Sequence, residues 1–343
     1  MLFRPINIVI SYVITLLCCS LFTILICISI SKLLSSSYYN NTTTSTHIPI
    51  ILFKLPRTGS TWLTERLNSI PNVYISKEII QRSDTTVYTN IDQQNYLIQA
   101  LNEPIGKISD KDKIIPSTRY FQDYYFHNTF KLFRKMEILG FTLNPEHSKH
   151  INWQHIYDTN SRVRVIVLRR GNVIKSALSG YRGQENRIKC GQSNMRSNAD
   201  MDSNKCILNK VNLTTSEFAV EVNRWQERFS NFDDFIEKLP FKKTIVYYEE
   251  LQQDFNTHIH RVFNDIGMES LISNQNIDSK SVWMKRNPED LREIIVNYDI
   301  IRHALSNGKC SCLLKQLESA DTTLFYDRCN EKINIVNNII RCS

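Results

Sequence analysis

The sequence predicts an α/β fold: a parallel sheet flanked by helices, preceded by one N-terminal transmembrane helix. Three observations predict it. A charge-free apolar run lies near the N-terminus, apolar segments of strand length alternate with segments of helical spacing, and the succession strand, basic turn, helix occurs twice. Composition agrees, since 42% hydrophobic and 22% charged residues over 343 positions exclude a disordered, collagenous or polytopic chain and suit one large domain. Nine Gly and nine Pro, with no internal period, exclude linker-rich and repeat architectures.

Taken in order, Ile6 to Ile30 carries no charge, and at ~1.5 Å per residue it covers the ~30 Å hydrocarbon core of a bilayer. A cleaved signal would have a shorter apolar region of about 7–15 residues, so the run predicts a retained type II anchor, with residues 1–5 as cytosolic tail. Residues 31–47, rich in Ser, Thr and Asn, read as a luminal stem, and residues 48–343 as the luminal domain.

In that domain Ile48 to Leu55 is a buried strand, Pro56 to Gly59 a turn, and Ser60 to Ile70 a helix through Trp62, Leu63, Leu67 and Ile70. Pro71 to Glu78 supplies a second strand. Val163 to Leu168 is another, followed by the turn Arg169-Arg170-Gly171-Asn172 and a helix through Val173, Ala177 and Leu178. Thr244 to Tyr248 forms a further strand leading into one helix, Glu249 to Ile266. Amphipathic helices are predicted over Phe218 to Leu239 and Pro288 to Leu305. Gln81 to Arg119 shows no readable pattern, and polar Arg182 to Thr215 reads as a surface excursion.

Of nine cysteines, Cys18, Cys19 and Cys27 fall in the apolar run, leaving Cys190, Cys206, Cys310, Cys312, Cys329 and Cys342. An even number gathered late in the chain predicts a disulfide-rich C-terminal part in an oxidising lumen, with the pairing open. Cys310-Ser311-Cys312 is too tight for the usual zinc spacing. Sequons at Asn40, Asn41 and Asn212 would carry glycan in the same compartment.

The two basic turns carry the chemistry. A strand's carboxyl end followed by a helix N-terminus offers unpaired N–H groups and a positive dipole end, a ready anion site. In Lys54 to Leu63, Gly59 permits close backbone approach, Ser60 and Thr61 add hydroxyls, and Arg57 adds a cation that can grip two oxygens. The second turn adds Arg169 and Arg170, with Lys175, Ser176 and Ser179 on its helix. Two clamps on one sheet fit a ligand with anions at both ends. The excess of 42 Lys and Arg over 34 Asp and Glu agrees with an anionic ligand and does not indicate nucleic acid. A nucleoside-triphosphate loop is absent, because Gly106-Lys107 is followed by Ile108 and Leu101 stands where a Gly would be needed.

These residues resemble the sulfotransferase family, specifically its membrane-bound Golgi members that act on carbohydrates or on tyrosyl residues of proteins. Pro56-Arg57-Thr58-Gly59-Ser60-Thr61-Trp62 is similar to the family's 5'-phosphosulfate loop, and Arg170 with Ser179 to its 3'-phosphate site. Val246-Tyr247-Tyr248-Glu249-Glu250-Leu251 and the stretch Lys285 to Tyr298 resemble two supporting motifs. Gly171 is an insertion relative to many members, which leaves Arg169 against Arg170, and Ser176 against Ser179, open. The resemblance implies a P-loop-like sheet and transfer of a sulfonyl group from 3'-phosphoadenylyl sulfate to a hydroxyl, without a metal. Arg57 and the Thr58 to Thr61 amides would hold the leaving group, Trp62 would stack on adenine, and Glu78 would be the base. His127, His147, His150 and His155 are alternative bases, and the aromatics of Tyr120 to Tyr125 either pack a helix or line an acceptor groove. The expected acceptor is a glycan or glycoprotein, the expected location the Golgi membrane, and the expected assembly at most a homodimer. A tyrosylprotein sulfotransferase or a catalytically silent luminal binding protein are the alternatives.

Overall fold

Five segments form the strands of one sheet in the computed structural model: β1 (Ile48–Lys54), β2 (Val73–Glu78), β3 (Ile138–Leu143), β4 (Arg164–Arg169) and β5 (Lys242–Tyr247). Their order is β2-β3-β1-β4-β5 and every pairing is parallel. The structure describes residues 47–80, 89–102, 137–190, 210–272, 290–319, 325, 329–336 and 339–343, all within the unit His47–Ser343. The expected anchor, the stem up to residue 46, Asn40, Asn41, Tyr120 to Tyr125, His127, Cys206 and most of Lys285 to Asp290 lie outside the described residues. No helix among the described residues is long and apolar enough to cross a membrane.

A parallel sheet has both faces covered, so its strands are continuously apolar and alternate residues serve opposite cores. Ile51 and Phe53 of β1, with Val165 and Val167 of β4, point into one cluster, while Ile50, Leu52, Ile166 and Leu168 point into the other. Helices α1 (Ser60–Asn68) and α7 (Phe255–Asp265) cover the second face through Leu63, Leu67, Ile259 and Val262. Helices α2 (Asn90–Asn102), α3 (Trp153–Thr159), α4 (Val173–Cys190) and α5 (Thr215–Glu237) cover the first. Phe218, Val222, Trp225, Phe229, Phe232 and Ile236 form the buried stripe of α5, whose start is fixed by a Thr214–Glu217 capping box.

Several elements differ from the sequence expectation. β3, α2 and α3 were not predicted. α4 runs on to Cys190, converting the first part of the expected excursion at Arg182 into helix. The single helix over Glu249 to Ile266 is two, α6 (Tyr248–Gln253) and α7, because Asp254 leaves the helical region and caps the second by accepting Thr257 N–H at 3.1 Å. Of the expected helix Pro288 to Leu305, the described residues form a short 3-10 turn, Leu291–Glu293, then α8 (Tyr298–Asn307). Beyond it come α9 (Ser311–Glu318) and a hairpin of β6 (Ile333–Val336) and β7 (Ile339–Cys342). Disulfides Cys310–Cys342 and Cys312–Cys329 tie this C-terminal part together.

Candidate active site

The order β2-β3-β1-β4-β5 sends the chain from β1 toward one edge first and to the other side of β1 later. β1 and β4 therefore flank the switch point where parallel α/β sheets open a crevice at the strands' carboxyl ends. Both basic turns emerge there.

At the first turn Gly59 is the N-cap of α1 with φ 83°, and no side-chain hydrogen bond caps that helix, as suits a helix N-terminus that takes an anion. A side chain at Gly59 would meet Tyr248, since a Cβ there would lie 2.4 Å from two ring carbons. Thr58 is buried and donates its Oγ1–H to Leu55 O at 2.8 Å, while Ser60 is half-buried and Thr61 exposed. Trp62 stands edge-on to Tyr248 and Phe255, with ring centres 6.0 and 5.6 Å away. Arg57, at φ 67°, lays its guanidinium on α4, where a Cβ on Gly183 would be 2.0 Å from Nη2. Burial lowers the Arg57 pKa from its ordinary value, and poor hydration strengthens its pull on any anion that arrives.

The second turn reaches the first. Arg170 donates from Nη1 to Arg57 O at 3.2 Å and sits 5.0 Å above the Tyr248 ring, with Nε 3.9 Å from Glu249 Oε1. Arg169 instead pairs with Asp233 of α5 at 2.7 Å. Ser176 is fully buried and donates to Asn172 O at 3.2 Å, and Lys175 is buried too. Ser179 is half-buried and lies one helical turn before Gly183, on the face of α4 that Arg57 covers. Arg170 thus meets the first turn directly, while Arg169 is paired with Asp233 beside the pocket between the turns and Ser176 bonds its own helix.

Unlike α1, α4 has its N-terminus closed by protein groups. The Glu249 carboxylate accepts from Gly171 N–H at 3.2 and 3.1 Å and from Asn172 N–H at 3.3 Å. Asn172 Oδ1 accepts Lys175 N–H at 2.9 Å. Burial pushes the Glu249 pKa up, with Arg170 and these amides opposing it. A ligand anion at this turn would meet the side chains of Arg170 and Ser179 rather than helix amides. A small pocket lies between the turns, lined by Thr58, Arg169, Arg170, Gly171, Phe232 and Phe325 among others.

The third corner is at the ends of β2 and β3. Glu78, the last residue of β2, is bonded at both oxygens, by Lys54 Nζ at 2.8 Å and by His147 Nδ1 at 3.0 Å. His147 ends the 3-10 turn Pro145–His147, which is fixed by Asn144 Oδ1 accepting Glu146 N–H and by Arg228 gripping Glu146 at 2.8 and 2.9 Å. Burial raises the Glu78 pKa, but the His147 bond and the Lys54 charge outweigh it and hold the carboxyl below its ordinary range. An ionised carboxylate only accepts, so Nδ1 of His147 carries the proton of that bond and the neutral ring keeps its lone pair at Nε2. His150 and His155 are exposed side chains away from this cluster. Sequence reasoning ranked His147 behind Glu78. What it lacked was β3, the strand that delivers the histidine.

Fold and site together define a parallel α/β protein with two arginine-bearing turns joined at the switch point of its sheet and a carboxylate–histidine pair two strands away. No family model matches the chain, and no curated protein matches it. Solved structures similar to it include a sulfotransferase from Alicyclobacillus acidocaldarius, at 11% identity over 78% of this chain and 94% of that one, with a TM-score of 0.33. Mouse sulfotransferase SULT7A1 complexed with PAP is 13% identical over 79% and 89%, with a TM-score of 0.33. Sulfotransferase STF9 from Mycobacterium avium is 13% identical over 79% of each chain, at 0.31. At these values the reading of the site rests on its own residues.

Proposed function

We propose that this chain is a sulfotransferase that moves a sulfonyl group from 3'-phosphoadenylyl sulfate to a hydroxyl of a glycan. The observation that carries the reading is the bond from Arg170 Nη1 to Arg57 O, which joins two cation-bearing turns into one crevice. From β4 to β2 is three strand spacings, ~14 Å at ~4.8 Å each, a span suited to a ligand with an anion at either end and its reacting end beneath the carboxylate–histidine pair.

The residues fit such a donor. The uncapped N-terminus of α1, with Gly59 holding the backbone open, accepts the 5' anion beside Arg57. Arg170 and Ser179 accept the 3' anion, and Trp62 and Tyr248 offer aromatic surface to a base. The donor itself supplies a sulfonyl group on a good leaving group. Charge that builds on that leaving group is met by Arg57 and the α1 amides. The acceptor's proton passes to Nε2 of His147, while Glu78 fixes the ring tautomer and stabilises the imidazolium and Lys54 keeps Glu78 ionised. Glu78 thereby serves the base rather than acting alone.

The disulfides and the exposed Asn212 sequon support a luminal domain, and with the apolar segment 6–30 the proposed setting is the Golgi membrane, type II. The test is a thermal-shift titration of the full-length chain in mild detergent with 3'-phosphoadenosine 5'-phosphate, AMP and ATP. A specific ligand at ~100 times its dissociation constant stabilises the fold by ~2.7 kcal/mol. Stabilisation by the bisphosphate above the others, followed by transfer of radiolabelled sulfonate to glycans rather than to tyrosine peptides, is the expected result. Transfer to the peptides alone moves the acceptor class to tyrosine. No shift, or a shift with ATP and magnesium only, removes the donor assignment.

A further inference from the structure

The turn after β4 is held from behind by a residue nearly 150 positions later in the chain. Gln316 of α9 is fully buried. Its Nε2–H donates to Gly171 O at 3.2 Å, its Oε1 accepts Val173 N–H at 2.9 Å, and its backbone carbonyl accepts from Asn172 Nδ2 at 2.8 Å. One side chain therefore bonds the backbone on both sides of Asn172, while Glu249 bonds Gly171 and Asn172 N–H from the other direction. Phe325 closes the remaining side, since a Cβ on Gly171 would come within 2.7 Å of Phe325 O.

α9 is itself anchored. Disulfides fix Cys310 and Cys312 at its start, and Glu331 caps it by accepting Cys312 N–H at 3.1 Å and Leu313 N–H at 3.2 Å. A leucine would fill the volume of Gln316 without the cost of desolvating an amide, so what the amide adds is direction: it satisfies the buried Gly171 O and Val173 N–H only when the turn has this shape. Arg170 immediately precedes that shape, and the path of its backbone sets where the guanidinium lies over Tyr248 and against Arg57 O.

We infer that Gln316 is a positioning residue for the 3'-phosphate site, acting through the turn Arg170–Asn172 and touching no ligand. The inference rests on the reading of that turn as the holder of the 3'-phosphate. A displacement of ~1 Å at a binding group is enough to cost one to two decades in its contribution. The ligand's 3' end is the part that meets the Arg170 guanidinium directly, so the cost falls chiefly on that end.

The experiment measures dissociation constants of the full-length wild type, Gln316→Leu and Gln316→Glu for 3'-phosphoadenosine 5'-phosphate and for AMP, which lacks the 3'-phosphate, with circular dichroism to establish folding. The wild type is expected to prefer the bisphosphate. Gln316→Leu is expected to reduce that preference ~10-fold or more while AMP binding stays within about twofold. Gln316→Glu keeps the acceptor for Val173 N–H, loses the donor to Gly171 O, and is expected to fall between; it carries the test if the leucine variant does not fold. A folded variant that keeps the wild-type preference, or loses both ligands equally, overturns the positioning role and leaves the donor site standing. A wild type without preference for the bisphosphate overturns the reading of the turn itself, and this inference with it.

Discussion

Replacing Gly59 by alanine tests the first turn most sharply, because a second glycine supplies the control. Gly59 and Gly267 have nearly the same backbone, φ 83° and 80°, but a Cβ on Gly59 would lie 2.4 Å from the Tyr248 ring whereas one on Gly267 meets nothing within 4 Å. Each alanine pays the left-handed penalty, ~1–2 kcal/mol. Only Gly59→Ala also pays for overlap with a ring wedged between Trp62 and Arg170, ~1–3 kcal/mol on the scale of overpacked cores. The expected losses are about 1–2 kcal/mol for Gly267→Ala and about 2–5 for Gly59→Ala. Urea unfolding midpoints at constant m give both values. Nucleotide binding separates them further, since displaced Tyr248 carries Arg170 with it and only Gly59→Ala should abolish stabilisation by the bisphosphate. Equal losses from the two variants, with binding intact in both, would refute the idea that Gly59 is required by the ring as well as by its φ.

Arg57→Ala is expected to lower the transfer rate by at least ~100-fold with the fold intact, as removal of a group that meets developing charge does; single-turnover kinetics check it, and near-normal turnover excludes Arg57 from that role. Glu78 has a depressed pKa, so its contribution to stability is present above the ordinary carboxylate range and is lost as pH falls through the lower folded value. Glu78→Gln should therefore be less stable than wild type near pH 7 and equal to it in acid, and a gap that persists in acid would mean packing rather than charge. His147→Gln should remove most of the transfer rate while binding of the bisphosphate stays intact, because it takes away the proposed proton acceptor, and an unchanged rate would place the base elsewhere. The paired Ser variants of Cys312 and Cys329, which close a 17-residue separation, should cost about 3 kcal/mol by thermal unfolding.

Four of the five strands of the sheet are legible in the sequence, both edge strands among them, and the one that is not, β3, lies inside the sheet. β1 and β4 are continuous apolar runs, and α5 repeats its aromatic stripe at helical spacing, so each is legible from neighbours in sequence. β3 hides because Gly140 interrupts its apolar run, and the glycine is there because a Cβ would strike Ile50 O of β1 at 2.4 Å. The break at Asp254 is a side chain choosing to cap rather than continue, a decision with no periodic signature. In the site, Arg57, Gly59 and Arg170 were readable because a turn between strand and helix announces an anion site locally. His147 meets Glu78 across 69 positions and Gln316 meets Val173 across 143, and pairings of that range are written only in the fold.

The strand order also governs when the crevice can come into being during synthesis. β1 is made early yet sits in the middle of the sheet, and its partner turn follows only 113 residues later. At ~5–20 residues per second the ribosome takes ~6–23 s to deliver it. Until β3 is made, the segment Ile48–Lys54, apolar in six of its seven residues, has neither neighbour to pair with, and until β4 is made it has only one. A nascent chain stalled before β3 presents a naked central strand, and one stalled before β4 leaves one of its edges unpaired, the kind of segment that chaperones shield and that seeds aggregation when they are scarce. Yield in a foreign host should thus depend on translation speed between β1 and β4 more than on the thermodynamic stability of the finished protein.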